Sequence, residues 1–233
     1  MSWFSNYARS SVGAKHIMAV TGLALALFVF VHMLGNFAVY AGQDAMNGYA
    51  ETLKSTGAFL WLARLGLLAT VVIHIAAAVR LSVLNKAARP EKYRMFKPIR
   101  SSFHARVMPW TGLIVFAFIV YHLMHFTLGT FYYDYYSAVQ ELPGGATRHD
   151  VYSMVVQGFQ IPAVALSYVV AMVLLCFHLA HGMTSFFQSL GLNHPKYNAI
   201  IRYAGPVYAA IILIGNSSIP IAILAGAVDL PGA

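Results

Sequence analysis

The sequence predicts an all-α integral membrane protein: five transmembrane helices, of which the first four form a bundle with an internal two-helix repeat, plus a fifth. Three observations carry this. Of 233 residues, 59% are hydrophobic and only 9% charged, against roughly 25% charged in a soluble domain. Five stretches, about 16–40, 58–84, 107–131, 160–188 and 204–228, are long and apolar enough to cross a bilayer, which takes about 20 residues. Motifs in the first two stretches recur in the next two. Helix is the expected form, because lipid offers no partners for open backbone groups.

The apolar stretch after Lys15 is too long for a signal-peptide core and is closed by no small-residue cleavage site, so it reads as the first span. The aromatic start before it (Trp3, Phe4, Tyr7) suits a membrane interface. The segment between the second and third spans carries Arg80, Lys86, Arg89, Lys92, Arg94, Lys97, Arg100 and Arg106. With Arg9, Lys15, Lys196 and Arg202, one side of the membrane holds 12 of the 15 lysines and arginines. The other side has Lys54, Arg64 and Arg148, and most of the acids: Asp44, Glu51, Asp134, Glu141, Asp150 and Asp229. The positive-inside rule therefore sets the N-terminus in the cytoplasm and the C-terminus outside. This asymmetry accounts for the net charge of +8 without a nucleic-acid partner. Eight basic residues in one loop exceed what topology needs, and also suit the docking of an acidic soluble partner.

Met18-Ala-Val-Thr21-Gly22-Leu23 precedes His32, and Met108-Pro-Trp-Thr111-Gly112-Leu113 precedes His122 at the same spacing. His74-Ile-Ala and His178-Leu-Ala relate the second and fourth spans. Parallel repeats of this kind occur in membrane proteins. His125 and His181 lie one turn further on, but their counterparts in the first half are Gly35 and Ala77, so the repeat favours His122 and His178.

His32 and His122 follow the charged edges at Lys15 and Arg106 by 17 and 16 residues, placing both roughly 25 Å towards the outer face. His74 and His178 lie 16 to 18 residues from the outer starts of their helices, nearer the inner face. The two levels are then on the order of 15 Å apart. An imidazole in a bilayer is costly and is a functional candidate by default. One such histidine is ordinarily interhelical glue; four, paired in depth, point to two bis-histidine haems. Two axial imidazoles close both coordination sites and suit the iron to electron transfer. No Asp or Glu lies within the spans, which argues against a cation or proton transporter. The chain has no Cys-x-x-Cys-His, so the haems would be held non-covalently, and its one cysteine, Cys176, excludes an internal disulfide. Gly22 and Gly112, ten residues before their histidines, lie at the depth of the other pair. They suit close approach of a macrocycle or close helix packing. Candidates for the propionates of the inner haem are Arg9, Ser10, Ser11, Lys15, His16 and Arg80; each could instead snorkel or cap a helix. The fifth span carries no histidine and is expected to cover the bundle, with Pro206 in its first turn and Pro220 as a kink.

Ser10-Ser11-x-Gly13-x-Lys15-x-x-Met18-Ala-x-Thr21-Gly22-Leu23, then Val31-His32-Met-Leu-Gly35-Asn36, resembles the di-haem cytochrome b subunit of bacterial succinate dehydrogenases and fumarate reductases. So do Asn47-x-Tyr49-Ala50, His74-Ile, Ala88-Arg89-Pro90-x-x-Tyr93, His122-Leu and His178-Leu-Ala-His181-Gly182. The resemblance implies a single cytochrome b domain over the whole chain, in the bacterial cytoplasmic membrane. It implies two haems b, with His32 and His122 the axial ligands of the outer and His74 and His178 those of the inner. Its partners would be a flavoprotein subunit carrying FAD and an iron–sulfur subunit, and its electron acceptor a quinone, expected to be menaquinone. The dicarboxylate chemistry would reside in those partners. A carboxylate near the outer haem takes up the quinol proton in relatives that use menaquinone; Glu51 is the nearest candidate here, and is otherwise an exposed loop acid. Asn36, Tyr40, Tyr49 and Arg64 share that level, and Ser185, Gln188 and Tyr197 mark an alternative inner site. The rival readings are a free-standing transmembrane cytochrome b and a haem-free helical anchor or transporter with structural histidines.

Overall fold

A computed structural model describes residues 3–89, 91 and 102–232. Lys92, Arg94, Lys97 and Arg100 of the basic loop, with Pro90 and Tyr93 of its motif, lie outside the described residues. The chain runs through α1 (Trp3–Arg9), α2 (Ser11–Asn36), α3 (Gln43–Ser55), α4 (Ala58–Ala87), α5 (Phe103–His122), α6 (Tyr133–Tyr136), a hairpin of β1 (Val139–Glu141) and β2 (Thr147–His149), α7 (Val151–Gln160), α8 (Pro162–Ser189) and α9 (Asn198–Leu224). Five helices are long and apolar enough to cross a membrane: α2, α4, α5, α8 and α9. The protein is thus an all-α integral membrane protein with five spans, as its composition requires.

The helix ends differ from the apolar limits because caps and turns set them. The first span begins at Ser11, not 16, since the Ser10 hydroxyl accepts from the Gly13 amide at 3.0 Å. Ser102 does the same for Ala105 at 3.2 Å, so the third span starts at Phe103 rather than 107. It ends in a π-turn, Leu123–Thr127, before Gly129 at φ +62°, short of 131. The fourth starts at Pro162 because Ile161, preceding a proline, is extended. The fifth runs from Asn198 to Leu224 rather than 204–228, closed by Gly226 at φ +70°. Pro206 therefore lies inside it, not in its first turn.

α2 packs on α4, α5 packs on α8, and the two pairs meet along α2 and α8, while α9 braces α8. α2 and α5 make few or no close backbone contacts, nor do α4 and α8. Large apolar side chains on α4 and α5 point outward, among them Leu62, Leu65, Leu68, Val72, Trp110 and Leu113; in a bilayer these meet lipid.

One end of the bundle carries a cap that apolar periodicity does not mark. It comprises α3, α6, the hairpin and α7. Its centre is Asp150, 5% exposed. Asp150 Oδ1 accepts from the Ser153 amide at 3.0 Å, capping α7, and from Asn47 Nδ2 at 2.9 Å; Oδ2 accepts from Gln43 Nε2 at 2.8 Å. Asn47 Oδ1 accepts in turn from the Tyr152 amide at 2.8 Å. Gln140 and Arg148 join the hairpin to Asp44 at 2.8 and 2.7 Å. Burial pushes the Asp150 carboxyl up, but these donors outweigh it and hold the group below its ordinary value. Its contribution to stability is therefore full above the unfolded carboxylate pKa of about 3.9 and is lost as pH falls through the lower folded value. Asp150→Ala strands three donors and is expected to destabilise the cap by about 3 kcal/mol; thermal unfolding in detergent, at pH 7 and at pH 3, should show the loss at pH 7 shrinking in acid.

Candidate functional site: two pairs of buried imidazoles

Each long helix of the four-helix core contributes one central histidine, and these meet in pairs across the two halves. His32 of α2 and His122 of α5 have ring centroids 5.8 Å apart, with planes at 86°. His74 of α4 and His178 of α8 stand 6.4 Å apart, at 67°. These are the pairs set out from depth and repeat. Gly22 lies against His74 and Gly112 against His178. Each glycine is ten residues from the histidine of the other level, so the pairs are stacked roughly 15 Å apart along the bundle.

A hydroxyl sets the proton on each inner imidazole. Thr21 Oγ1 donates to the Ile17 carbonyl at 2.7 Å and is 3.1 Å from His74 Nδ1. Thr111 Oγ1 donates to the Met108 carbonyl at 3.1 Å and is 3.3 Å from His178 Nδ1. A threonine in a helix interior spends its proton on the carbonyl one turn back. Its oxygen can then only accept, so Nδ1 of each imidazole carries the hydrogen and Nε2 keeps its lone pair. His122 Nδ1 has the Tyr168 hydroxyl at 3.4 Å. The two inner rings are thus held with the hydrogen on Nδ1 and Nε2 as the free base, the form that binds a metal.

The donor set fits two haem irons. A metal held in line between two imidazole nitrogens, at about 2.0–2.1 Å each, puts the ring centroids roughly 6.4 Å apart. Aromatic packing alone gives edge-on pairs over about 4.5–7 Å, so the separation is compatible with both. A Cβ at Gly22 or Gly112 would stand 3.1 or 3.3 Å from the imidazole Cε1, so the glycines make room for the rings themselves. Among the described residues no three His, Cys, Asp or Glu side chains converge on one point. Two imidazoles are too few donors for a bare ion, and are what a macrocycle with four nitrogens of its own requires.

His125 does not face His32. It is fully buried, 0% exposed, with Nδ1 3.0 Å from the Tyr168 hydroxyl and Nε2 2.9 Å from that of Tyr135. The ring opposite His74 is that of His178, not His181. At the far end from the cap, Tyr7 hydrogen-bonds His16 Nδ1 and Arg80 donates to the Arg9 carbonyl. Ser10 serves as a helix cap; Ser11 and Lys15 are exposed in the first turns of α2.

At the cap, Glu51 lines a cleft of about 180 Å³ with Asn47, Ala50, Lys54, Thr147, Arg148 and His149. Its carboxylate is 59% exposed and 3.7 Å from Arg148 Nη1. His149 donates from Nε2 to the Tyr136 carbonyl at 2.7 Å. Burial, and then the charge of Lys54, hold its imidazole below the ordinary value against that bond and Asp150. Of the other residues at this level, Tyr40 donates to Ser218 at 2.7 Å, Tyr49 lies over Gly35, and Arg64 stacks on Trp61 at 5.2 Å. At the far end Ser185 bonds its own helix, donating to the Gly182 carbonyl at 3.1 Å.

The residues that sequence reasoning missed are Thr21, Thr111 and Tyr168. The threonines stand in the repeated Thr-Gly pair, so their recurrence was a legible signal of a role. Tyr168 carries no such mark. Compared with known proteins, the chain matches no family model, no curated protein and no solved structure.

Gly22→Val is expected to cost about 1–3 kcal/mol by forcing the His74 ring aside. Gly66→Ala, facing open space on α4, should be neutral or stabilising by up to about 1 kcal/mol. Parallel thermal melts in detergent would check the contrast.

Proposed function

We propose that this chain is the haem-bearing membrane anchor of a succinate:quinone oxidoreductase. It would pass electrons from an iron–sulfur subunit through two bis-histidine haems b to a quinone, expected to be menaquinone. The observation that carries the reading is the stacked pairing of neutral imidazoles, each joining helices that otherwise make few or no close backbone contacts. Haem, when bound, would supply one-electron iron chemistry.

His32 and His122 would hold the outer group and His74 and His178 the inner one. Thr21 and Thr111 orient the inner rings. Gly22 and Gly112 leave space for them. Ser11, Lys15, His16 and Arg80 line the basic end, where they serve propionates. That end faces the cytoplasm and docks the flavoprotein subunit, with its FAD, and the iron–sulfur subunit, by its excess of lysine and arginine. Succinate chemistry resides in those partners, and the assembly sits in the bacterial cytoplasmic membrane. At the cap end, Glu51 exchanges the quinol protons in the cleft it shares with Arg148 and His149.

The same histidines would serve a free-standing transmembrane cytochrome b. Co-purification of flavin and iron–sulfur subunits separates the two readings. A dithionite-reduced minus oxidised spectrum with a pyridine haemochrome count is the direct test: two haems b per chain, one in His122→Ala or His178→Ala, and two in His125→Ala and His181→Ala. An intact, folded preparation without haem absorption would sink the proposal and leave the histidines as structural glue. Glu51→Gln should keep both haems and lower quinone turnover about a hundredfold, the usual order for loss of a general acid–base group; unchanged turnover would return Glu51 to the status of an exposed loop acid.

A further inference from the structure

The two imidazole pairs are oriented by different chemistry. The inner rings meet threonine hydroxyls whose protons are committed to backbone carbonyls. His122 meets Tyr168, whose hydroxyl is also 3.0 Å from His125 Nδ1. His125 Nε2 is in turn 2.9 Å from the Tyr135 hydroxyl. With the His122 Nε2 lone pair directed to a metal and the Tyr168 hydroxyl proton kept within this chain, the protons run one way. His122 Nδ1–H donates to Tyr168, Tyr168 donates to His125 Nδ1, and His125 Nε2–H donates to Tyr135. Each donor is itself polarised by the next link, and the chain lies in a low-dielectric interior where such polarisation strengthens it.

The fold is built around this chain. His125 stacks on Phe126 at 3.9 Å and lies edge-on to Tyr168. The π-turn Leu123–Thr127 carries it. Across from it, a Cβ at Gly158 of α7 would stand 3.4 Å from both Cε1 and Nε2 of the ring.

We propose that Tyr168 and His125 are positioning residues for the axial ligand His122: they fix its Nδ1–H and raise the ligand's basicity, which holds the outer centre at a lower potential than a threonine-oriented pair would have. The inference rests on the di-haem reading. Hydrogen bonds to the outer nitrogen of a ligating imidazole tune the metal through the ring.

The test is an optical redox titration of the full chain with its haems in detergent, the outer component being identified as the one missing in His122→Ala. Tyr168→Phe keeps the ring and removes the hydroxyl. It should keep both haems and raise the potential of the outer component alone, by about tenfold in its oxidised-to-reduced ratio, or about 59 mV for a one-electron centre. Tyr135→Phe should shift the same component in the same direction by less, and decides the matter if Tyr168→Phe loses the outer haem. No shift, or equal shifts of both components, with both haems present, overturns the proposal while the di-haem reading stands. A wild-type chain without haem overturns both, and shows this before any titration begins.

Discussion

A polar ring inside hydrocarbon must be partnered by the protein, since no water reaches it, and an unsatisfied buried group costs on the order of 1–3 kcal/mol. Four imidazoles at the centre of this bundle impose that condition at two depths. The bundle answers with hydroxyls placed one helix away: Thr21 for His74, Thr111 for His178 and Tyr168 for His122. The two threonine contacts also fix a tautomer. The same threonine contacts that satisfy the inner rings therefore leave Nε2 as their basic nitrogen.

Helix packing follows from the same centre. The imidazole pairs connect α2 with α5 and α4 with α8, which are not close backbone neighbours. The scaffold is held instead by contacts between small residues and their neighbours. A Cβ at Gly205 would overlap the Ala180 carbonyl of α8, and one at Gly215 would overlap the Met33 sulfur of α2. Close backbone approach through glycine is the usual source of helix association in lipid, where apolar surface alone gives no driving force. α9, without a histidine, braces α8 and holds Met33, the neighbour of His32 in the chain. Under the proposed function, this lets the two halves keep their spacing around the groups between them.

The two ends of the bundle differ in kind. One is defined by positive charge and short caps. The other is roofed by α3, the hairpin and α7 through the bonds of Asp150, and contains the tyrosines that enclose His125. In the proposed electron path this gives each centre a distinct environment: threonine, helix backbone and nearby cations for one, a tyrosine–histidine chain beneath a polar roof for the other. Differences of this kind in hydrogen bonding and burial are the protein's means of setting unequal potentials.

The number of spans, their approximate positions and the histidines at issue are readable along the chain. Apolar length, the charge gradient and the Met-x-x-Thr-Gly repeat are local or periodic signals, and the depth of each histidine follows from a fixed rise per residue. The pairs His32 with His122 and His74 with His178 were legible for that reason. Which atoms face which depends on the three-dimensional packing. The repeat favours His122 over His125, three residues on; the π-turn and the tyrosines of α6 and α8 supply the physical reason, giving His125 two partners and leaving His122 opposite His32. Ser10, read as a ligand to a haem propionate or a cap, is a cap because Gly13 presents its amide. Gln43 and Asn47 lie on the polar helix α3 and Asp150 caps α7, all outside the spans, and they meet only after the chain has returned through two of them. Side-chain hydrogen bonds between distant elements depend on angle and distance in three dimensions, and no pattern along one chain encodes them.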